Sequence, residues 1–452
     1  MSRLTEGLRN VFKIEELRQR LLFTGLMLLV VRVGSFISVP GINVKAVLHN
    51  TTSGSNTLFG FFDMFVGGAY TKGAIFALGI MPYISASIIV QLLTAVMPYF
   101  QKLQQEGEQG RKQLNSITRY LTVGLSFAQG LAIALSLQSQ TAGNVPVVNE
   151  AVQGVPFMLM AATIFTAGTI FLMWIGEQIT EKGIGNGTSL IIFIGIIARL
   201  IPSIREELSL IASGTRNPIV ELVVVAALLG VIAVVVLFTQ AIRKIPVQYA
   251  KRMVAGKTYS GSGQTSFIPI QLITANVMPI IFASAIMFLP NLLATTFPGT
   301  GISSFINQNF KNTDLLHNVV FAILIIFFSF FYTAIVIQSR DVAENMRKSG
   351  GFIPGIRPGK PTEEYIDRVL VRVTVPGSLF LALIAILPVF IGLLGVTGSF
   401  ASFFGGTTVL IMVGVALDTL KQVEAYLLMR HYDGFMKSGK LRGRLQRQIA
   451  SS

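Results

Sequence analysis

Residues 219–238 read IVELVVVAALLGVIAVVVLF, and Glu221 is their only charged position. As a helix this stretch rises about 30 Å, the hydrocarbon thickness of a bilayer. In lipid a helix satisfies its backbone groups internally and needs no further cover. Reading outward in both directions, the pattern recurs. Mainly apolar spans cover residues 21–39, 73–97, 117–137, 155–175, 183–201, 219–238, 268–289, 319–337, 371–394 and 400–420, ten in all. The fold expected is an all-α polytopic membrane protein.

The composition agrees with this reading. The 452 residues are 52% apolar and only 13% charged, and mean hydropathy is +0.66. A soluble domain carries about 25% charged residues, so a soluble fold is excluded. Residues 1–20, MSRLTEGLRNVFKIEELRQR, are polar and amphipathic over too long a stretch for a cleavable signal peptide, so span 21–39 is expected to be retained. The absence of cysteine excludes disulfides, thiolate metal sites and cysteine nucleophiles.

Charge sets the orientation. With the N-terminus on one side, that side's loops and tails collect 29 of the 36 Lys and Arg residues. The opposite loops hold Lys45, Lys72, Arg199, Arg205, Arg216 and Lys311, and Arg32 lies inside the first span. Positive charge stays cytoplasmic during insertion, so both termini are expected in the cytoplasm. Arg32, near the outer end of its span, is expected to snorkel. A net charge of +15 concentrated in loops also suits docking to acidic partners.

Five spans precede the polar segment 202–217 and five follow it. An odd number of crossings per half turns the second half over relative to the first. The expected organisation is a cytoplasmic amphipathic segment 1–20, an N-terminal half 21–205, a C-terminal half 206–428 and a basic cytoplasmic tail 429–452. Such inverted repeats place the functional site near the midplane between the halves.

Two cytoplasmic loops exceed what topology needs. Residues 241–267 carry Arg243, Lys244, Lys251, Arg252 and Lys257; residues 339–370 carry Arg340, Arg347, Lys348, Arg357, Lys360 and Arg368. Long loops in a compact protein are usually functional. A third segment, residues 57–70, TLFGFFDMFVGGAY, is apolar and interrupted by glycine. As a helix from Phe59 to Tyr70 it would be about 18 Å long, too short to span. It reads either as an interfacial segment or as a half-helix folded back among the spans.

Catalytic chemistry finds little support. Gly256-Lys257-Thr258 lacks the upstream glycine of a phosphate-binding loop, because Lys251 stands there. His49, His317 and His431 lie outside the spans and at no metal-ligand spacing. No enzyme activity, cofactor, metal or small-molecule substrate is expected. On residues alone, a channel and an ion-coupled secondary transporter stay open. The transporter needs charged or carbonyl ligands at the midplane; charged candidates are lacking there, and carbonyls are invisible in sequence.

Several motifs bear on this choice. Residues 77–88, ALGIMPYISASI, are followed by Glu181-Lys182-Gly183-Ile184-Gly185-Asn186-Gly187. Glu344-Asn345, Lys348-Ser349-Gly350, Gly355-Ile356-Arg357-Pro358-Gly359 and Phe404-Gly405-Gly406-Thr407 come later in the chain. In this order, from Arg32-Val33-Gly34 to the tail, the set resembles the bacterial SecY family, the central subunit of the Sec protein-conducting channel. The resemblance implies two inverted five-helix halves around a central pore, closed by a short re-entrant plug helix. Its pore ring would comprise Ile84, Ile88, Thr188, Ile192, Val277, Ile281 and Ile411, with Thr188 departing from the apolar pattern. The plug would comprise Phe59, Gly60, Phe61, Phe62, Asp63, Met64, Phe65, Val66, Gly67 and Gly68.

The same resemblance implies a lateral gate between spans two and three and spans seven and eight, with Gln91, Thr94, Gln271, Thr274 and Asn276 as polar candidates. The two basic loops would dock the SecA ATPase and the ribosome, through Arg243, Lys244, Lys251, Arg252, Lys257, Arg340, Arg347, Lys348, Arg357 and Lys360. SecE and SecG are the implied membrane partners. Signal peptides and unfolded secretory polypeptides would be the cargo, delivered across the bacterial plasma membrane or sideways into membrane lipid.

Overall fold

The computed structural model describes residues 14–44, 46–47, 63, 65–139, 141–142, 145–149, 152–214, 218–249, 265–273, 277–296, 300–310, 314–392, 400, 403 and 406–437. The N-terminal half is built from α1 (Glu15–Gly34), α2 (Met81–Val96), α3 (Pro98–Gln105), α4 (Glu108–Gln138), α5 (Val155–Lys182) and α6 (Gly187–Ala212). A minimal hairpin, β1 (Thr141–Ala142) with β2 (Val145–Pro146), joins α4 to α5. The C-terminal half has α7 (Pro218–Gln240), α8 (Met278–Thr296), α9 (Gly301–Asn309), α10 (Leu315–Val336), α11 (Ser339–Lys348), α12 (Lys360–Gly392) and α13 (Gly406–Lys437). Strands β3 (Ile242–Tyr249), β4 (Thr265–Gln271) and β5 (Gly351–Phe352) lie in its loops.

Each expected span has a helical counterpart among the described residues. Six helices are long and apolar enough to cross a membrane on length and composition; α2 with α3 makes a seventh if that pair, bent by 98°, is one span. Helices α1, α8 and α13 stand where the other three spans are expected.

The packing order repeats between the halves. In the first, α2 packs on α4, α4 on α5, α5 on α6, and α1 on α5 and α6. In the second, α8 packs on α10, α10 on α12, α12 on α13, and α7 on α13. The remaining counterpart contact, α7 to α12, is made by the stacked rings of Phe238 and Phe380. The halves meet along two seams, α2 and α4 against α8 on one side and α6 against α13 on the other.

Two helices begin eight or more residues after the expected start of their span. The second span was expected from residue 73, but residues 71–80 form consecutive turns and the helix begins at Met81. Gly73 and Gly79 adopt positive φ (55° and 58°) within those turns, which a helix does not accommodate. The seventh span was expected from residue 268. Instead residues 265–271 form β4, and the helix starts at Met278. Hydropathy over a window registers apolar length but not period. Here Ile268 and Ile270 turn toward a separate core outside the helix bundle's own, while Phe267 and Pro269 are exposed.

Candidate functional site

Residues from both halves share one buried core. Ile84 and Ile88 on α2, Ile192 on α6, Val277 and Ile281 at the start of α8, and Ile411 on α13 all belong to one continuous buried core. Ile84 and Ile88 share a helix face because four residues advance little more than one turn. Thr188 stands apart from these. It lies in the first turn of α6, where its hydroxyl bonds to the Asn186 side chain at 2.6 Å and its methyl group faces Gly176 of α5.

The stretch read as a plug packs beside this core. Of its residues, Asp63, Phe65, Val66, Gly67 and Gly68 are described; Phe59, Gly60, Phe61, Phe62 and Met64 lie outside the described residues. Phe65 is buried in the same core as the six apolar side chains. The carboxylate of Asp63 is fully buried, pairs with the Arg199 guanidinium of α6, and accepts the Thr71 amide N–H at 3.1 Å. The Gly68 amide returns to the Asp63 carbonyl at 2.9 Å.

Arg32 does not snorkel outward. Its Nη1 donates to the Gly67 carbonyl at 2.8 Å, so α1 grips the same segment. The inward turn suits the chemistry, because the carbonyl at the segment's tight bend (Gly67 φ 70°) takes its donor from Arg32. A cavity of about 20 Å³ remains between Phe65, Val66 and Ile192, room for about one water.

The seam between α2 and α8 carries the gate candidates. Gln91 donates to the Ser87 hydroxyl at 3.2 Å, and the Thr94 hydroxyl donates to the Val90 carbonyl at 2.7 Å, both within α2. Gln271 is not on the seventh helix: it ends β4, opposite Ile242 of β3. Thr274 and Asn276 lie outside the described residues. At the end of the seam beside β4 a groove of about 880 Å³ runs between Gln91, Thr94, Gln101, Ile268, Ile337 and Asn345.

The two long loops expected as separate segments form one unit. β3 pairs with β4, and β5 from the second loop pairs with β3 through Gln248↔Phe352 and Tyr249↔Gly351. Ile245, Val247, Ile270, Ala343, Met346, Ile353, Ile366 and Leu370 form its core. A Cβ on Gly351 would lie 2.9 Å from the Tyr249 ring, which would have to shift to admit it. Arg243, Lys244, Arg340, Arg347, Lys348, Arg357 and Lys360 are exposed on this unit. Lys244 sits over the Phe267 ring at 4.7 Å, and Lys348 bonds Glu344 at 3.1 Å, which holds the Glu344 carboxyl below its usual range. Lys251, Arg252 and Lys257 lie outside the described residues.

Comparison with known proteins decides the family. The SecY family profile matches residues 74–420. The protein translocase subunit SecY of Thermotoga maritima is 40% identical over 445 residues, covering 97% of this chain and 99% of the relative. The chain belongs to the SecY family.

SecY-family membership makes the chain a multi-pass membrane protein and a subunit of a protein-conducting channel, not an enzyme. Two solved structures share the fold. One is described as showing that the plug domain of the SecY protein stabilises the closed state of the translocation channel and maintains a membrane seal; its TM-score is 0.64 at 18% identity, over 94% of this chain and 95% of that one. The other is Sec61 in the canine ribosome-channel complex from the endoplasmic reticulum, with a TM-score of 0.60 at 17% identity, over the same shares. The transporter reading loses its ground here.

Within this SecY-family fold, residues 181–187 prove structural. Gly185 takes φ 87°, and its amide donates to the Gln422 side chain of α13 at 2.8 Å. The Asn186 side chain caps α6 by accepting from the Thr188 and Ser189 amides. A Cβ on Gly187 would fall 2.0 Å from the Gly176 carbonyl oxygen, so α5 and α6 approach closely only with glycine. The motif ties the second seam between the halves. Sequence reading missed the partners of Arg32 and Arg199; the signal available was a charge near the outer end of an apolar span.

Proposed function

We propose that the chain is the pore subunit of a bacterial plasma-membrane translocase, with both termini in the cytoplasm. It passes unfolded secretory polypeptides outward and releases signal or transmembrane helices sideways into lipid. The observation that carries this reading is the shared buried core of Ile84, Ile88, Ile192, Val277, Ile281 and Ile411, drawn from both halves, with Phe65 packed into it. A narrow apolar collar dewets and resists ions. Its flexible aliphatic side chains part around a polypeptide without binding it specifically. Thr188 would form the rim of the collar, one turn from Ile192.

Residues 59–68 are the plug, closing the collar from the outer side. Residues 21–205 and 206–428 are the two clasping halves, and the α2–α8 seam is the lateral gate, lined by Gln91, Thr94, Gln271, Thr274 and Asn276. A helix leaving through it gains roughly 0.3–0.6 kcal/mol for each Leu-like residue. The chain supplies no chemical drive. The SecA ATPase or the translating ribosome supplies it, docked on the unit of Arg243, Lys244, Arg340, Arg347, Lys348, Arg357 and Lys360 and on Lys251, Arg252 and Lys257. Clustered cations attract ribosomal RNA phosphates. SecE clamps the halves, and SecG lies at the periphery.

The test is a single cysteine at Ile192, clean because the chain has none of its own. Disulfide formation is measured with a cysteine in a secretory polypeptide arrested in transit, in membranes supplied with the motor. A cross-link that requires a functional signal sequence and is absent at the exposed control Val225 is the expected result. Active translocation without a cross-link at Ile192, Ile88 or Ile281 would refute the collar.

A further inference from the structure

The segment after residue 62 is held by more than apolar contact. Asp63 has no solvent exposure, and its carboxylate is shared between the Arg199 guanidinium and the Thr71 amide. Arg32 holds the Gly67 carbonyl at 2.8 Å. Backbone meets backbone alongside: a Cβ on Gly195 of α6 would lie 2.5 Å from the Phe65 carbonyl oxygen, and one on Gly67 would lie 2.8 Å from the Gly195 Cα. Val66 packs on Gly79, whose added Cβ would come within 3.0 Å of it. Arg32, Gly79, Gly195 and Arg199 all belong to the N-terminal half.

We propose that the buried Asp63–Arg199 pair, seconded by Arg32 on Gly67, is an electrostatic latch that holds the plug to the N-terminal half, so that parting the halves does not by itself release it. The inference rests on the plug and channel reading above and adds the residues that set its threshold. A carboxylate taken out of water is tolerated only while paired, and removing one partner strands the other charge. The Thr71 amide alone leaves most of the carboxylate's acceptor capacity unmet. Because the grip lies within one half, separation of α2 from α8 leaves it intact. The plug then leaves only when polypeptide entering the collar displaces Phe65 and draws Asp63 from Arg199. The latch therefore makes opening depend on cargo inside the pore as well as on a signal helix in the seam.

The experiment is a double-mutant cycle on the full chain with its membrane partners, using Asp63→Asn, Arg199→Gln and both together. Export is followed for two reporters, one with an intact signal sequence and one with a defective signal, and resting small-ion conductance is recorded in bilayers. Each single variant is expected to raise export of the defective-signal reporter about tenfold or more, with increased resting conductance. The double variant is expected to add little, because both changes remove the same interaction. Gly195→Ala, which presses on the Phe65 carbonyl without touching either charge, should release the plug in the same direction and serves if an Asp63 variant fails to accumulate.

Additive effects in the cycle, or variants that keep wild-type discrimination while exporting the intact reporter normally, would overturn the latch and leave the channel reading standing. Failure of the unmodified chain to export the intact reporter would instead overturn the channel reading on which the latch rests.

Discussion

At the scale of the residue, glycine and arginine carry most of what is specific here. Gly187 is a point of close approach between helices α5 and α6, with no room for a methyl group beside the Gly176 carbonyl. Gly187→Ala is expected to destabilise the folded chain by about 1–3 kcal/mol, the range of overpacking in a close-packed interior. The check is the fraction remaining monodisperse in mild detergent after heating; a wild-type profile would show that the two helices can separate at little cost. Arg119 makes the opposite case. It meets Glu177 through two hydrogen bonds of 3.1 and 2.7 Å, yet it is half-exposed. Arg119→Ala should cost under about 1 kcal/mol, detectable as a small downward shift in the same heating profile.

At the scale of the element, each helix start has a local cause that sequence shows unevenly. The Asn186 cap of α6 is legible as a short polar side chain just before an apolar run. Asn186→Ala is expected to lower stability by about 0.5–2 kcal/mol. It should also loosen Thr188, whose hydroxyl loses its acceptor. Thermal melting in detergent measures the first effect, and faster labelling of a cysteine placed at Thr188 measures the second. The true start of α8 is less legible. Residues 268–271 continue into an apolar run toward the helix, and only pairing with β3 makes them a strand. The plug stretch illustrates the same limit. Its shortness and glycines marked it as unable to span, whereas the partners that bury it come from residues over thirty positions away in α1 and more than a hundred away in α6.

At the scale of the whole molecule, the repeated packing order yields two halves joined along two unlike seams. The α6–α13 seam is tied by the Gly185–Gln422 hydrogen bond. In the α2–α8 seam, the bonds of Gln91 and Thr94 stay within α2. Neither of these two bonds crosses to α8, which suits the gate proposed there. β5 joins the two basic loops, so they should move as one body. Cysteines at Gln248 and Phe352, partners in the antiparallel register, are expected to form a disulfide readily, since such pairs stand about 4.5–5.5 Å apart. Translocation should survive that bond, measured as export of a normal secretory reporter under oxidising and reducing conditions. Loss of export on oxidation would mean that the loops must separate in the working cycle.

The sequence by itself determined the membrane class and the run of apolar spans, because hydrophobic length acts locally and is counted along the chain. It also supplied the motif order that pointed to the family, and with it six aliphatic side chains that the fold buries in one core. Only the tertiary structure decided that Arg32 turns inward, that Asp63 finds Arg199, that Thr188 faces α5, and that two distant loops share one sheet. Each of these depends on which groups remain unsatisfied once the helices have packed. A buried carbonyl or carboxylate takes the nearest donor in space, and nearness in space is set by the fold rather than by position in the chain.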